Sequence, residues 1–166
     1  MRRFLALAII LAPAAASAEG VRAPATFLSP ELRAQQDDPS RHPGWLWVDA
    51  GEALWRSAPA TGRPSCQGCH GEISTMRGVA TRYPAVAPSG VLVNLEGRIE
   101  ACRSEKQQAP AFGYESEQLL SLTAAIALQS RGLPVSVATE GPAASFVAEG
   151  RRLYETRMGQ LNLSCG

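Results

Sequence analysis

Large aromatic side chains are scarce in this chain: Phe, Tyr and Trp together make up 6% of its 166 residues. A bulky non-protein group inside the fold is one consistent way of completing a core built from so few of them. No run of one charge stands out either, with Lys+Arg at 16 against Asp+Glu at 15. Nucleic acid is therefore not a favoured partner. Long apolar runs are absent beyond the N-terminus, where Phe4 to Pro13 is too short to span a bilayer, which takes about 20 residues. The length suits one ordinary domain and part of another.

What is present begins with an export signal. Met1-Arg2-Arg3 is basic, Phe4 to Pro13 is apolar, and Ala16-Ser17-Ala18 supplies the small residues that a signal peptidase reads. Residues 1–18 are expected to be a cleaved secretory signal, leaving 19–166 in the periplasm. Without Arg2 and Arg3 the basic and acidic side chains nearly balance.

There are four cysteines, Cys66, Cys69, Cys102 and Cys165. In an exported chain four cysteines first suggest two disulfides. The spacing argues otherwise, because Cys66-Gln67-Gly68-Cys69-His70 is the attachment motif of c-type haem. Two thiols one helical turn apart reach the two vinyl groups of one porphyrin, and the adjoining histidine supplies the proximal iron ligand. One haem c is expected, with Cys66 and Cys69 as thioether anchors and His70 on the iron. Two rivals use the same residues. A thioredoxin-type oxidoreductase needs a strand running into the motif, whereas Pro59 to Ser65 has loop composition. A zinc site needs a second ligand pair at close spacing, and Cys102 and Cys165 are far apart.

The flanks favour a helical haem domain. Asp49 to Trp55 reads as a short helix with Gly51 and Trp55 on one face at i and i+4, a face that another helix can approach closely. The candidate partner is Ser116 to Arg131. Ser116 is an N-cap, and Leu119, Leu120, Leu122, Ala125, Ile126 and Leu128 form a broad apolar face. Gly132 and Pro134 make the stop. The expected fold is mainly α, with a class I cytochrome c-like domain with long loops across 19–132.

A repeat adds to this plan. Gly51-Glu52-Ala53-Leu54-Trp55 precedes Cys66 as Gly150-Arg151-Arg152-Leu153-Tyr154 precedes Cys165, with glycine, leucine, aromatic and cysteine matched at one offset of 99 positions. The expectation is a linker over 133–144 and the first helix of a second, incomplete cytochrome c-like domain over 145–166. Cys165 would then be the first thioether cysteine of a second haem, and the chain a truncated form of a longer diheme protein. The alternative makes Cys165 a native C-terminal cysteine bonded to Cys102.

The sixth iron ligand is open. Met76 lies only six residues after His70 and belongs on the proximal side. Met158 sits in the second repeat, and His42 precedes the first helix. Cys102 follows His70 by 32 residues, enough for a loop to wrap to the distal face. It is a candidate ligand, with a disulfide or a buried free thiol as alternatives.

Several longer stretches resemble the SoxA family of sulfur-oxidation cytochromes. They are Pro43 to Asp49 leading into Gly51 to Trp55, Ser65 to Gly71, Met76 to Pro84, Asn94 to Ile99 with Cys102-Arg103, Tyr114 to Ser116, Gln129 to Gly132, and Leu153 to Arg157 with Gly159 to Cys165. The resemblance implies that His70 and Cys102 ligate the first haem. It implies a SoxX cytochrome partner, a SoxYZ carrier protein, thiosulfate as substrate, and an L-cysteine S-thiosulfotransferase reaction. It also places the family's chemistry at a second haem, whose distal cysteine would lie past residue 166, so no catalytic residue is expected here. The alternative from another class is a monohaem periplasmic electron-transfer cytochrome.

Overall fold

A computed structural model describes residues 24–166. The expected signal peptide lies outside the described residues. The chain divides into two compact units, the first ending at Asp38 and the second running from Pro39 to Gly166.

In the first unit a 3-10 turn, Pro24–Phe27, is followed by helix α1, Pro30–Asp37. Ser29 caps α1 by accepting from the Leu32 N–H, and Pro30 occupies the first turn. Nothing on α1 is buried.

The second unit is helical. Its main elements are α2 (Gly44–Arg56), α3 (Cys66–His70), α4 (Leu95–Glu105), α5 (Glu117–Leu128) and α6 (Ala144–Glu155). Two short strands, β1 (Ala85–Val86) and β2 (Leu92–Val93), form an antiparallel hairpin pairing Ala85 with Val93 and Val86 with Leu92. Helix α2 crosses α5 at Gly51, which is buried. A Cβ at Gly51 would run into the Ser121 carbonyl oxygen and stand 2.8 Å from the Ala125 Cβ, so only glycine permits this approach. Trp55, Ile99, Leu119, Leu122 and Ile126 form the buried cluster on this crossing.

Several boundaries differ from the sequence reading. Helix α2 begins at Gly44 rather than Asp49. His42 folds over its start, with Nδ1 accepting from the Gly44 N–H at 3.0 Å, and so satisfies one of the donors a helix start leaves free. Helix α5 starts at its Ser116 cap as expected but ends at Leu128. Gln129, Ser130 and Arg131 then donate to carbonyls three residues back, a tightened last turn. Within 133–144, Gly141–Ala143 is a 3-10 turn, the Ser136 N–H donates to the Thr81 carbonyl at 2.8 Å, and α6 begins at Ala144.

The largest difference concerns Cys102. It sits on helix α4, not on a wrapping loop. Asn94 caps α4 through its side chain, accepting from the Gly97 N–H at 2.8 Å, and Glu96 occupies the first turn, where the helix dipole favours an anion.

Candidate haem site

Helix α3 is only five residues long and its ends are tied. Ser65 accepts from the Gly68 N–H at 3.0 Å, and Gly71, at φ 76°, turns the chain out while its N–H donates to the Gln67 carbonyl at 2.8 Å. Cys66 and Cys69 are three residues apart and share a face. His70 follows at the last helical position. The Trp55 indole N–H donates to the Gly71 carbonyl at 3.0 Å, and the Thr75 hydroxyl donates to the His70 carbonyl at 2.9 Å. The Trp55 and His70 rings lie 5.8 Å apart between centroids. Helix α2 therefore fixes the end of the motif from one side and the turn Ile73–Met76 from the other.

Helix α4 forms another wall. Arg98, Ile99, Cys102, Arg103 and Lys106 recur at the three- and four-residue spacing of one helical face and all line one cavity with Cys66, Cys69 and His70. The C-terminal end of α4 is pinned to the chain that enters the motif. The Gln107 amide donates to the Pro64 carbonyl at 3.0 Å, and the Thr61 hydroxyl donates to the Gln107 carbonyl at 2.7 Å. Arg103 is held by its Nε donating to the Pro110 carbonyl at 2.7 Å and by its guanidinium lying 3.8 Å over the Phe112 ring.

The cavity measures about 520 Å³, within the usual range for a bound cofactor. Trp55, Ile99, Leu122 and Ile126 line it, and so does Met76. Four cationic side chains, Arg82, Arg98, Arg103 and Lys106, share its wall with no carboxylate.

The other expected positions lie elsewhere. Cys165 is exposed and does not line the cavity; its N–H donates to the Tyr154 carbonyl at 3.0 Å. Met158 pairs with Leu163 in an isolated bridge, and His42 is occupied at the start of α2. All four cysteines are free thiols, so Cys102 and Cys165 are not joined.

The rivals fare poorly. Among the described residues β1 and β2 are the only strands, and neither leads into α3. Burial pushes the Cys66 thiol up, and the nearby Cys102 pushes it further, whereas reactive oxidoreductase thiols are shifted down. No three His, Cys, Asp or Glu side chains among the described residues converge on one point closely enough to hold a bare metal ion. Cys66, Cys69, His70 and Cys102 instead surround a volume. A flat, apolar group with iron at its centre, thiol-reactive edges and anionic substituents fits that donor set, the apolar wall and the unopposed cations together.

Residues 50–135 match the SoxA/TsdA cytochrome c domain. The chain belongs to the SoxA/TsdA cytochrome c family. It is 37% identical over 147 residues to the L-cysteine S-thiosulfotransferase subunit SoxA of Rhodovulum sulfidophilum, covering 87% of this chain and 51% of that relative. It is 33% identical to the subunit of the same name from Paracoccus pantotrophus, covering 84% of this chain and 48% of the relative. The crystal structure of SoxXA from P. pantotrophus superposes with a TM-score of 0.77 at 31% identity, covering 87% of this chain and 55% of that one. The chain thus spans about half the length of the curated relatives it matches. A SoxA/TsdA cytochrome c domain is a haem c domain, and the cavity between α3 and α4 has the size and lining for that group. The sequence reading missed Arg82, Arg98 and Lys106 as lining residues. The signal for Arg98 and Lys106 was their spacing with Cys102, four apart along α4, which Asn94 caps.

Proposed function

We propose that this chain carries one haem c of a SoxA-type subunit, held through thioethers at Cys66 and Cys69 and ligated by His70 and Cys102. The observation that carries the reading is that Cys102 lines the same cavity as the attachment motif, on a helix pinned to that motif through Gln107 and Pro64. Haem bound there supplies reversible one-electron transfer. The protein's part is to orient and insulate. Trp55 holds the Gly71 carbonyl and with it the end of α3, so His70 keeps one direction. Ile99, Leu122 and Ile126 exclude water from the centre. Cys102, as a thiolate, adds a negative charge that stabilises the ferric state and lowers the potential.

By likeness to the relatives, the whole subunit acts in the periplasm with a SoxX cytochrome. There it joins thiosulfate oxidatively to a cysteine of the SoxYZ carrier, passing electrons through haem. Residues 145–166 are proposed as the first helix of a second cytochrome c-like domain, with Cys165 as a thioether cysteine of its haem. Two features support that part. Gly150 stands in the register of Gly51, yet a Cβ added there would meet nothing within 4 Å. Leu153 and Tyr154 on the same helix are exposed. A helix face open at Gly150 in the register of Gly51 suits the first helix of a second such domain. The second reading is a monohaem electron-transfer cytochrome built on the complete Cys66–His70 motif.

The test is expression in a periplasm with haem-maturation machinery. A red protein whose haem survives denaturation is expected, with a low potential that rises in Cys102→Met because a neutral thioether replaces a thiolate. A red protein indifferent to that change removes Cys102 from the iron. A colourless folded protein sinks the haem reading. Binding of a SoxX cytochrome by the red protein would favour the subunit reading over the monohaem one.

A further inference from the structure

The cavity wall carries four cations, and they are not equivalent. Arg103 is committed to the Pro110 carbonyl and the Phe112 ring. Among the described residues the side chains of Arg82, Arg98 and Lys106 make no hydrogen bond or ion pair, and all three are exposed. Unpaired cations around an apolar cavity with no carboxylate in its wall call for an anionic ligand edge.

The direction of α4 decides which of them meets that edge. Its C-terminal end, beyond Lys106, is tied through Gln107 to Pro64, two residues before Cys66. That end therefore lies at the thioether side. Its N-terminal end follows directly from β2, whose partner β1 begins three residues after Arg82. Arg98 stands one turn, about 5.4 Å, before Cys102, on the hairpin side. A porphyrin of the haem type carries its vinyl groups on one edge and its two propionate carboxylates on the opposite one. A ring held by thioethers at Cys66 and Cys69 would turn its carboxylate edge away from the thioether side, toward the hairpin end of α4.

We propose that Arg82 and Arg98 form a two-cation clamp at the rim of the cavity that holds the haem propionates. The clamp rests on the haem c reading above and adds the orientation of the ring to it. Each guanidinium presents a planar pair of donors matched to a carboxylate. Both lie at the solvent rim, so the carboxylates keep part of their hydration and the apolar centre stays free of charge. Lys106, at the thioether end, takes no part. The two arginines are positioning residues, acting on the iron only through the ring they align.

The experiment uses the full chain, matured in the periplasm. Arg82→Gln, Arg98→Gln, the double variant and Lys106→Gln are each compared with the unsubstituted protein. The alkaline pyridine haemochrome reports covalent haem regardless of the propionates. Resonance Raman of the propionate bending band reports the clamp. The expected result is full haem loading with the band displaced in each arginine variant, displaced further in the double variant, and unmoved in Lys106→Gln. An unmoved band in the loaded double variant overturns the clamp, as does a band that responds to Lys106→Gln and to neither arginine. If a glutamine variant carries no haem, the Arg82→Lys and Arg98→Lys proteins decide. Replacing the two-donor fork by a point charge then shifts the band if the clamp exists and leaves it in place if not. A colourless unsubstituted chain instead condemns the haem reading itself.

Discussion

Trp55 and His70 stand 5.8 Å apart between ring centroids, with their planes tilted by 35°. Trp55 is 3% exposed and is also tied to the residue after His70 by its indole N–H. One side chain thus packs the core, anchors the end of the motif and limits the rotation of the proposed ligand. Trp55→Phe keeps most of the bulk and loses the hydrogen bond, so a cost of about 1 kcal/mol is expected. Trp55→Ala should cost about 3–5 kcal/mol. Denaturant unfolding followed by circular dichroism measures both. The Phe variant should also broaden the ferric haem signals in electron paramagnetic resonance, as His70 samples more orientations.

The two register-matched glycines should respond oppositely. Gly51→Ala forces a methyl into the Ser121 carbonyl, and the helix crossing must open at a cost of about 1–3 kcal/mol. Gly150→Ala meets open space on α6 and should be neutral or stabilising by up to about 1 kcal/mol, since alanine favours a helix. Thermal melting of the two variants separates these outcomes. In a chain extended by a complete second domain, Gly150→Ala should become as damaging as Gly51→Ala. If it stayed harmless there, the second-domain proposal would fail.

Attachment of the cofactor should be a condition of folding. The cavity of about 520 Å³ is open to solvent and walled by Trp55, Ile99, Leu122 and Ile126, so without the cofactor water meets an apolar lining. The Cys66→Ala, Cys69→Ala double variant should therefore lose helical circular dichroism and become protease-sensitive. A colourless variant with native helix content and a cooperative melt would contradict this.

Gln107 is 8% exposed and ties α4 to the entry of the motif. Gln107→Ala leaves the Pro64 carbonyl without this donor, with an expected cost of about 1–3 kcal/mol. Because α4 carries Cys102, the variant should also move the charge-transfer bands of the ferric protein. Stability loss with an unchanged spectrum would mean that the tie does not set the position of Cys102.

Much of this architecture was legible beforehand, for identifiable reasons. The Ser116 cap and the apolar face after it defined the start of α5, and the motif announced α3 by its chemistry. The run Trp45 to Val48 hid the first turns of α2, because consecutive apolar residues carry no period to read. Its start signal, His42 bonded to the Gly44 N–H, depends on a side chain folding back, which composition does not reveal. Helix α4 was missed because its exposed polar face outweighs Leu95, Ile99 and Cys102 in any count. The face that matters is defined by the cavity opposite, so it emerges only in three dimensions. The cations Arg82 and Arg98 are sixteen positions apart in sequence and were invisible as a pair for the same reason.

Helix α5 turns two neighbouring faces to two different tasks. Ser121 and Ala125 receive Gly51, while Leu122 and Ile126 line the cavity. Successive residues on a helix are about 100° apart, so a one-position slip of α5 that brought Leu122 and Ile126 to the glycine contact would leave Thr123 and Ala127 facing the cavity. It would drive bulky side chains into the glycine contact and strip the cavity wall at the same moment. One register of α5 therefore serves both the glycine contact and the apolar wall of the cavity.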